Sequence, residues 1–445
     1  MNRNIIIRII YILFSALLAY FGYSCNRTVK TTIDSKDLSY LYNPLRNPIN
    51  PRYGVFNQSD QTSVLSVKFF TRDLFFNEAN PKGVPMAMIF ISVRLYNTSM
   101  GNTLQDTALY NIDIVKEESK DEYLYNIPLT VEKGYEYIAD VKIMDKIRQH
   151  LIHAFVPFNT LSEFNRYNFH ARGHFRQNEL LNPIIRKNEF IDLLYGRRKL
   201  DTLFIKYYRP YGEIPYPPYM ALPEKPMNSE PDTIVPLVYS DTLPMMFPRE
   251  GIYLCTIGKE INEGYTFFNF GDDYPTMRTP EKMIEPIGYL ATEDEMNSIR
   301  SNAKPKMALD DFWIRCGGNV EKARELIRIY YTRVLYANYY FSSFKEGWRT
   351  DRGMIYIIYG PPDKLYKSST EETWGYKKAS IKSSWGTRYK IKEDYLYFNF
   401  KKRENGFCDN EYTISRSETA ATYWDQAVLS WKKGVVFRLD NPAEL

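Results

Sequence analysis

Between Thr62 and Asn159 the chain is written in short runs of Val, Ile, Phe and Tyr separated at regular intervals by turn residues. Within "YEYIADVKIMD", Ala139, Val141 and Ile143 alternate with Asp140, Lys142 and Met144. A period of two places one set of side chains on a dry face and the other in water, so these runs predict antiparallel strands packed as a β-sandwich. A second strand-rich block, containing "RKLDTLFIKYYRP" and "REGIYLCTIGKEINEGYTFFNF", follows to about Asp273. Aromatic residues make up 16% of the 445 residues, which favours strands over a helical bundle throughout this part. Residues 209–236 hold eight prolines, from Pro210 to Pro236; proline supplies no ladder donor, so an extended surface loop is expected there.

The periodicity changes after about Glu285. Thr292 followed by Glu295 has the form of a capping box, and Asn319 precedes a helical stripe that includes Ala323, Ile327, Tyr330, Val334 and Phe341. The stretch "GWRTDRGMIYIIYGPPD", residues 347–363, comes next. Met354–Tyr359 is apolar at every position, the pattern of a central strand covered on both faces, with Gly360, Pro361, Pro362 and Asp363 as its stop. Before it, Gly347 ends the preceding passage, Trp348 is a large anchor, and Thr350 and Asp351 can bond nearby backbone N–H groups. The catalytic alternative uses Asp351 as a base with Arg349 or Arg352 as an anion clamp, yet no histidine or cysteine lies close in sequence to complete such a site. Architecture is the stronger reading.

This motif, with "EPIGYLATEDE" and "YYTRVLYANYYFSSFKEGW" before it and "EETWGY", "DYLYFNF" and "NGFCDNEY" after it, resembles the GWxTD-domain family of bacterial envelope proteins from about Glu285 to Phe437. The resemblance implies an α+β domain behind β-rich segments and an export or lipoprotein signal, as in members from Bacteroidota. It supplies no catalytic residues. The fold expected is therefore multidomain: two β-sandwich-like domains at 61–160 and 161–284, then an α+β GWxTD domain at 285–445.

The N-terminus agrees with that order. Arg3 and Arg8 precede an apolar stretch too short for about 30 Å of hydrocarbon, and Cys25 follows it. Residues 1–25 read as a lipoprotein-type signal with Cys25 as the acylated residue, a cleaved secretion signal or an uncleaved anchor being the alternatives, and 26–60 as a tether and docking segment; Gly22 departs from the usual leucine of such signals. Cys255, Cys316 and Cys408 form no CxxC pair and read as buried small hydrophobes. The four histidines, His150, His153, His170 and His174, cluster in sequence, but their strand and loop settings oppose a shared metal. The basic run from Lys364 interleaves Trp374 and Trp385, which makes these two, with Arg349 and Arg352, the candidate partner contacts.

A net charge of +5 on 58 basic and 53 acidic side chains gives no global field for nucleic acid. No nucleotide loop, nucleophile elbow or zinc-protease motif occurs, and no cofactor or metal is expected. The expected role is noncatalytic binding or assembly in the cell envelope, with the membrane held through Cys25, a protein partner, and a glycan as alternative ligand. A narrower alternative is an accessory to outer-membrane protein secretion or surface assembly; another is an envelope hydrolase or glycan-active enzyme centred on Asp351.

Overall fold

The computed structural model describes residues 37–79, 83–197, 199–221, 229–240, 243–378 and 394–440. Cys25, the signal segment and Trp385 lie outside them. The alternating runs form two facing antiparallel sheets. One is ordered β1 (Arg52–Asn57), β2 (Thr62–Phe70), β6 (Glu122–Thr130); the other contains β3 (Glu78–Ala79), β4 (Pro85–Asn97), β7 (Glu136–Asp145) and β8 (His150–Asn159), with β5 (Thr103–Val115) also on β4. In β7 the inward set is Tyr137, Ala139, Val141, Ile143 and Asp145, and Val141 pairs with Val93 and Ala154. Tyr137, Ala139, Val141 and Ile143 meet Leu65, Val67 and Phe69 of β2 in one core. Each fully buried aliphatic of this kind contributes about 1.5–3 kcal/mol.

The next strands are β9 (Phe169–Gly173) and β10 (Ile191–Tyr195), a two-stranded ribbon, and a four-stranded sheet ordered β12 (Thr233–Val238), β11 (Thr202–Tyr208), β13 (Gly251–Thr256), β14 (Tyr265–Asn269). Every residue of β13 is buried. Tyr253 and Cys255 face a core shared with the ribbon, while Ile252 and Leu254 face Phe344 and Cys408 of the C-terminal region. The expectation of loop across 209–236 is corrected at its end, where Pro236 pairs with Phe204 inside β12. β12 is an edge strand, the one sheet position where a missing N–H can face away from a neighbour.

The C-terminal part sets an antiparallel sheet, β15 (Lys364–Lys367), β16 (Glu371–Lys377), β17 (Tyr395–Lys402) and β18 (Tyr412–Ile414), beside helices α1 (Pro280–Ile284), α2 (Glu293–Arg300), α3 (Pro305–Gly317), α4 (Val320–Phe341), α5 (Asp351–Tyr359) and α6 (Ala420–Lys432). The Thr292–Glu295 capping box opens α2, and Asn319 caps α4 by accepting from the Lys322 N–H. A short N-terminal segment joins this core: Leu38 N donates to Leu365 O at 2.8 Å, and Leu38 and Tyr42 are buried among the C-terminal side chains.

The run Met354–Tyr359 is helix, not the central strand expected from its composition. Residues 351–360 are all buried, with α4 and α6 and the side chains of β16 and β17 around them. A short apolar run has no periodicity with which to separate strand from helix. Thr350 decides it locally, since its hydroxyl accepts from Gly353 N at 3.0 Å and caps the first turn.

Among the described residues no helix is long and apolar enough to cross a membrane. Cys255, Cys316 and Cys408 are buried free thiols; burial pushes Cys316 up to about 11 and Cys408 to about 12, which keeps them protonated and unreactive.

Candidate functional site

The motif begins where the backbone crosses α4. A Cβ at Gly347 would lie 2.1 Å from Ala337 O, and one at Gly353 would lie 2.0 Å from Gly347 O. Glycine at both places lets the turn and the first coil of α5 lie directly on their neighbours. Trp348 N donates to Asn338 Oδ1 at 2.9 Å, Tyr289 donates its hydroxyl to Trp348 O at 2.7 Å, and the Trp348 ring is 1% exposed. The Arg349 guanidinium lies 4.1 Å over that ring, donates to Glu346 at 2.8 Å, and also reaches Gly212 O.

Asp351 and Arg352 point to opposite partners. Asp351 Oδ2 accepts from Ile414 N at 2.9 Å, and Oδ1 accepts from Arg416 Nη2 at 3.1 Å. Arg416 in turn donates through Nη1 to Tyr216 O and Pro217 O, at 2.7 and 2.8 Å. Arg352 donates to Glu372 Oε1 at 3.1 Å and to Asn410 Oδ1 at 2.6 Å. Asn410 passes the connection on to the end of α4, donating to Ser342 O at 2.9 Å.

Glu372 is the hub. Besides Arg352 it accepts from the Tyr42 hydroxyl at 2.8 Å and from Trp374 Nε1 at 3.1 Å, and it pairs with Lys367 at 3.0 Å. Burial alone would raise its carboxyl, but Lys367 and Arg352 outweigh that and hold it down at about 2. Arg352 is likewise disfavoured by burial, and the Glu372 charge more than restores it, so its guanidinium is held above its ordinary range. Tyr42 is raised by burial and by Glu372, and remains a neutral donor.

The far end of α5 is closed as firmly. Arg333 Nη1 donates to the carbonyls of Ile357 and Ile358 at 2.9 Å each, and Trp431 Nε1 donates to Ile358 O at 3.1 Å. Gly360, at φ +88, turns the chain, Pro361 and Pro362 forbid further helix, and Asp363 Oδ2 accepts from Lys377 N at 2.8 Å.

Of the candidate partner contacts, Arg352 and Trp374 are inside the core at 1% and 0% exposure, so neither offers a surface. Arg349 faces residues of this same chain. Sequence reasoning missed Glu372, Asn410 and Arg416, because nothing in their local pattern marks a link to the motif; an acidic Glu372 two residues from Trp374, and so on the same face of a strand-like run, was the available signal. The histidines stay apart: His153 meets Asp140 at 2.5 Å, His174 meets Asp192 at 2.7 Å, and His170 meets Glu179, while His150 packs edge-on to Tyr40. Among the described residues no three His, Cys, Asp or Glu side chains gather as a metal set.

Two clefts flank the network. One of about 490 Å³ lies where β1, β9 and β14 meet Tyr339, Tyr340 and Asn410. The other, of about 730 Å³, runs between residues 211–217 and the helices α2 and α6. Chemically the motif is a closed bonding system that positions α5 and its neighbours.

In comparisons with known proteins, the family model of the GWxTD domain matches residues 251–433. The match begins at β13, earlier than the resemblance near Glu285. No curated protein matches. Among solved structures, Bacteroides uniformis beta-glucuronidase 2, covalently bound to cyclophellitol-6-carboxylate aziridine, is similar at 13% identity and a TM-score of 0.16, over 25% of this chain and 13% of that one. A likeness that small carries no argument about fold or activity.

Proposed function

Because residues 251–433 make this chain a GWxTD-domain protein, we propose that it is a noncatalytic binding or assembly component of the bacterial cell envelope, tethered to a membrane by lipid on Cys25. One observation carries the binding reading. Two charges of "GWRTDRG" are turned inward: Asp351 accepts from Ile414 and Arg416, and Arg352 donates to Glu372 and Asn410. A general base needs a carboxylate that can approach a substrate proton, and a carboxylate 2% exposed and bonded on both oxygens does not. The motif instead fixes a scaffold, and recognition falls to the surfaces that the scaffold presents. An accessory role in outer-membrane secretion or surface assembly is the narrower form of the same reading.

Crosslinking in intact cells, followed by affinity purification of the full chain, tests it. Discrete envelope proteins recovered with the wild type, and reduced when Cys25 is replaced by Ala, are expected. Recovery of none sinks the assembly role. Palmitate labelling that persists in Cys25→Ala refutes the lipid anchor.

A further inference from the structure

The strands β11 and β12 are antiparallel neighbours, and a hairpin between such strands needs about two to five residues. Here residues 209–232 make the connection, and part of it crosses the C-terminal region. Pro215 and Pro218 are buried there while Tyr216 between them is 40% exposed. In an extended proline-rich chain three residues complete a turn, so Pro215 and Pro218 share one side, the P-x-x-P spacing by which aromatic-lined grooves read such chains. Ile214 adds an apolar contact on the C-terminal core and lies 3.2 Å from the position of a Cβ at Gly288.

The receiving side is built from the motif and its partner arginine. Arg349 donates to Gly212 O, Arg416 donates to Tyr216 O and Pro217 O, and Ser417 N donates to Pro218 O at 3.1 Å. Each of these bonds ends on a backbone carbonyl. Carbonyls are common to every polypeptide, and proline leaves them without a competing N–H, so the recognition depends on extended shape more than on side chains. The segment also under-fills its seat, since the cleft of about 730 Å³ runs along its edge toward α2 and α6.

We propose that this face is a receptor for an extended proline-rich segment of a partner protein, and that residues 211–218 occupy it in cis until such a segment displaces them. The inference rests on the binding reading and specifies its surface. The in-cell crosslinking can succeed while this surface fails, and the two results are separable.

The probe is a synthetic peptide with the sequence of residues 209–221, isotopically heavier than the protein, beside a control peptide with Ala for both Pro215 and Pro218. In the full chain carrying Ile214→Gly, Pro215→Ala and Pro218→Ala, the cis segment loses its buried anchors. Peptide affinity is expected to rise at least about tenfold over wild type, because an occupant tethered nearby competes at high effective concentration. Adding Arg416→Lys, which keeps a charge for Asp351 but cannot fork across two carbonyls, is expected to reverse most of that gain. Equal binding by wild type and variant, or equal binding of the control peptide and the unaltered peptide, overturns the proposal. The unsubstituted protein gives an independent measurement: excess peptide is expected to speed hydrogen exchange at Met220, whose N–H donates to Pro217 O at 3.0 Å within the segment, and unchanged exchange at saturating peptide overturns the proposal as well.

Discussion

Arg352 donates to Glu372 Oε1 at 3.1 Å, and neither side chain is more than 1% exposed. Such a pair gains little over apolar packing of the same shape, but breaking it strands a charge. Glu372→Gln is therefore expected to lose about 3–5 kcal/mol in urea denaturation, and Arg352→Met a comparable amount. Arg352→Met combined with Glu372→Gln is expected to cost clearly less than the sum of the two, with the coupling read from a double-mutant cycle.

The same carboxylate sets a pH dependence. Glu372 is held at about 2 in the fold, below its ordinary value of 4.5, so the stability it contributes is complete above that ordinary value and is lost as pH falls toward 2. The urea midpoint is expected to fall between about pH 5 and pH 2, by an amount equivalent to roughly 3 kcal/mol. Glu372→Gln should remove that part of the slope. A profile identical in wild type and variant would show that Glu372 is not the titrating group.

Gly347 and Gly353 are required by close approach, with a Cβ placed 2.1 and 2.0 Å from backbone oxygens that cannot move without shifting a helix. Gly347→Ala and Gly353→Ala are each expected to destabilise by more than the ~1–3 kcal/mol usual for overpacking. Gly212→Ala, where a Cβ meets nothing within 4 Å, is the control and should leave the melting temperature unchanged.

Trp348→Ala empties a fully buried site and is expected to cost about 3–5 kcal/mol. Trp348→Phe should cost much less, because the indole N–H finds no acceptor among the described residues. Asp351→Ala is expected to approach Trp348→Ala: it leaves Ile414 N and Arg416 short of an acceptor in a buried place. Asp351→Asn keeps an acceptor for Ile414 N and should fall between Asp351→Ala and wild type.

The sandwich strands, the capped helices α2 and α4 and the motif itself were legible, because each is encoded within a few residues by alternation, by capping pairs or by a fixed spacing. Met354–Tyr359 was misread since its environment, not its order, sets its form: a run buried on every side looks alike as strand or helix. Thr350 three residues before Gly353, with Asp351 in the first turn, was the local sign of a helix start. The bonds of Asp351 to Arg416 and of Arg352 to Glu372 were out of reach, for they join positions that only the folded chain brings together. Proline content announced an extended loop over 209–236; residues 209–221 carry no helix or strand, Pro236 lies in β12, and nothing in the composition said what the segment would lie against.

Tyr42 and Glu372 stand 330 residues apart in the chain. A ribosome working at about 5–20 residues per second needs on the order of 15–70 s to travel that distance. For all that time the Tyr42 hydroxyl lacks this acceptor, although Tyr40 can already meet His150 and Leu41 the core of the first sandwich. The bond between Tyr42 and Glu372 is thus among the last that this segment can make, and a chain that stops short of Glu372 lacks the tie between its leading end and the hub of the motif.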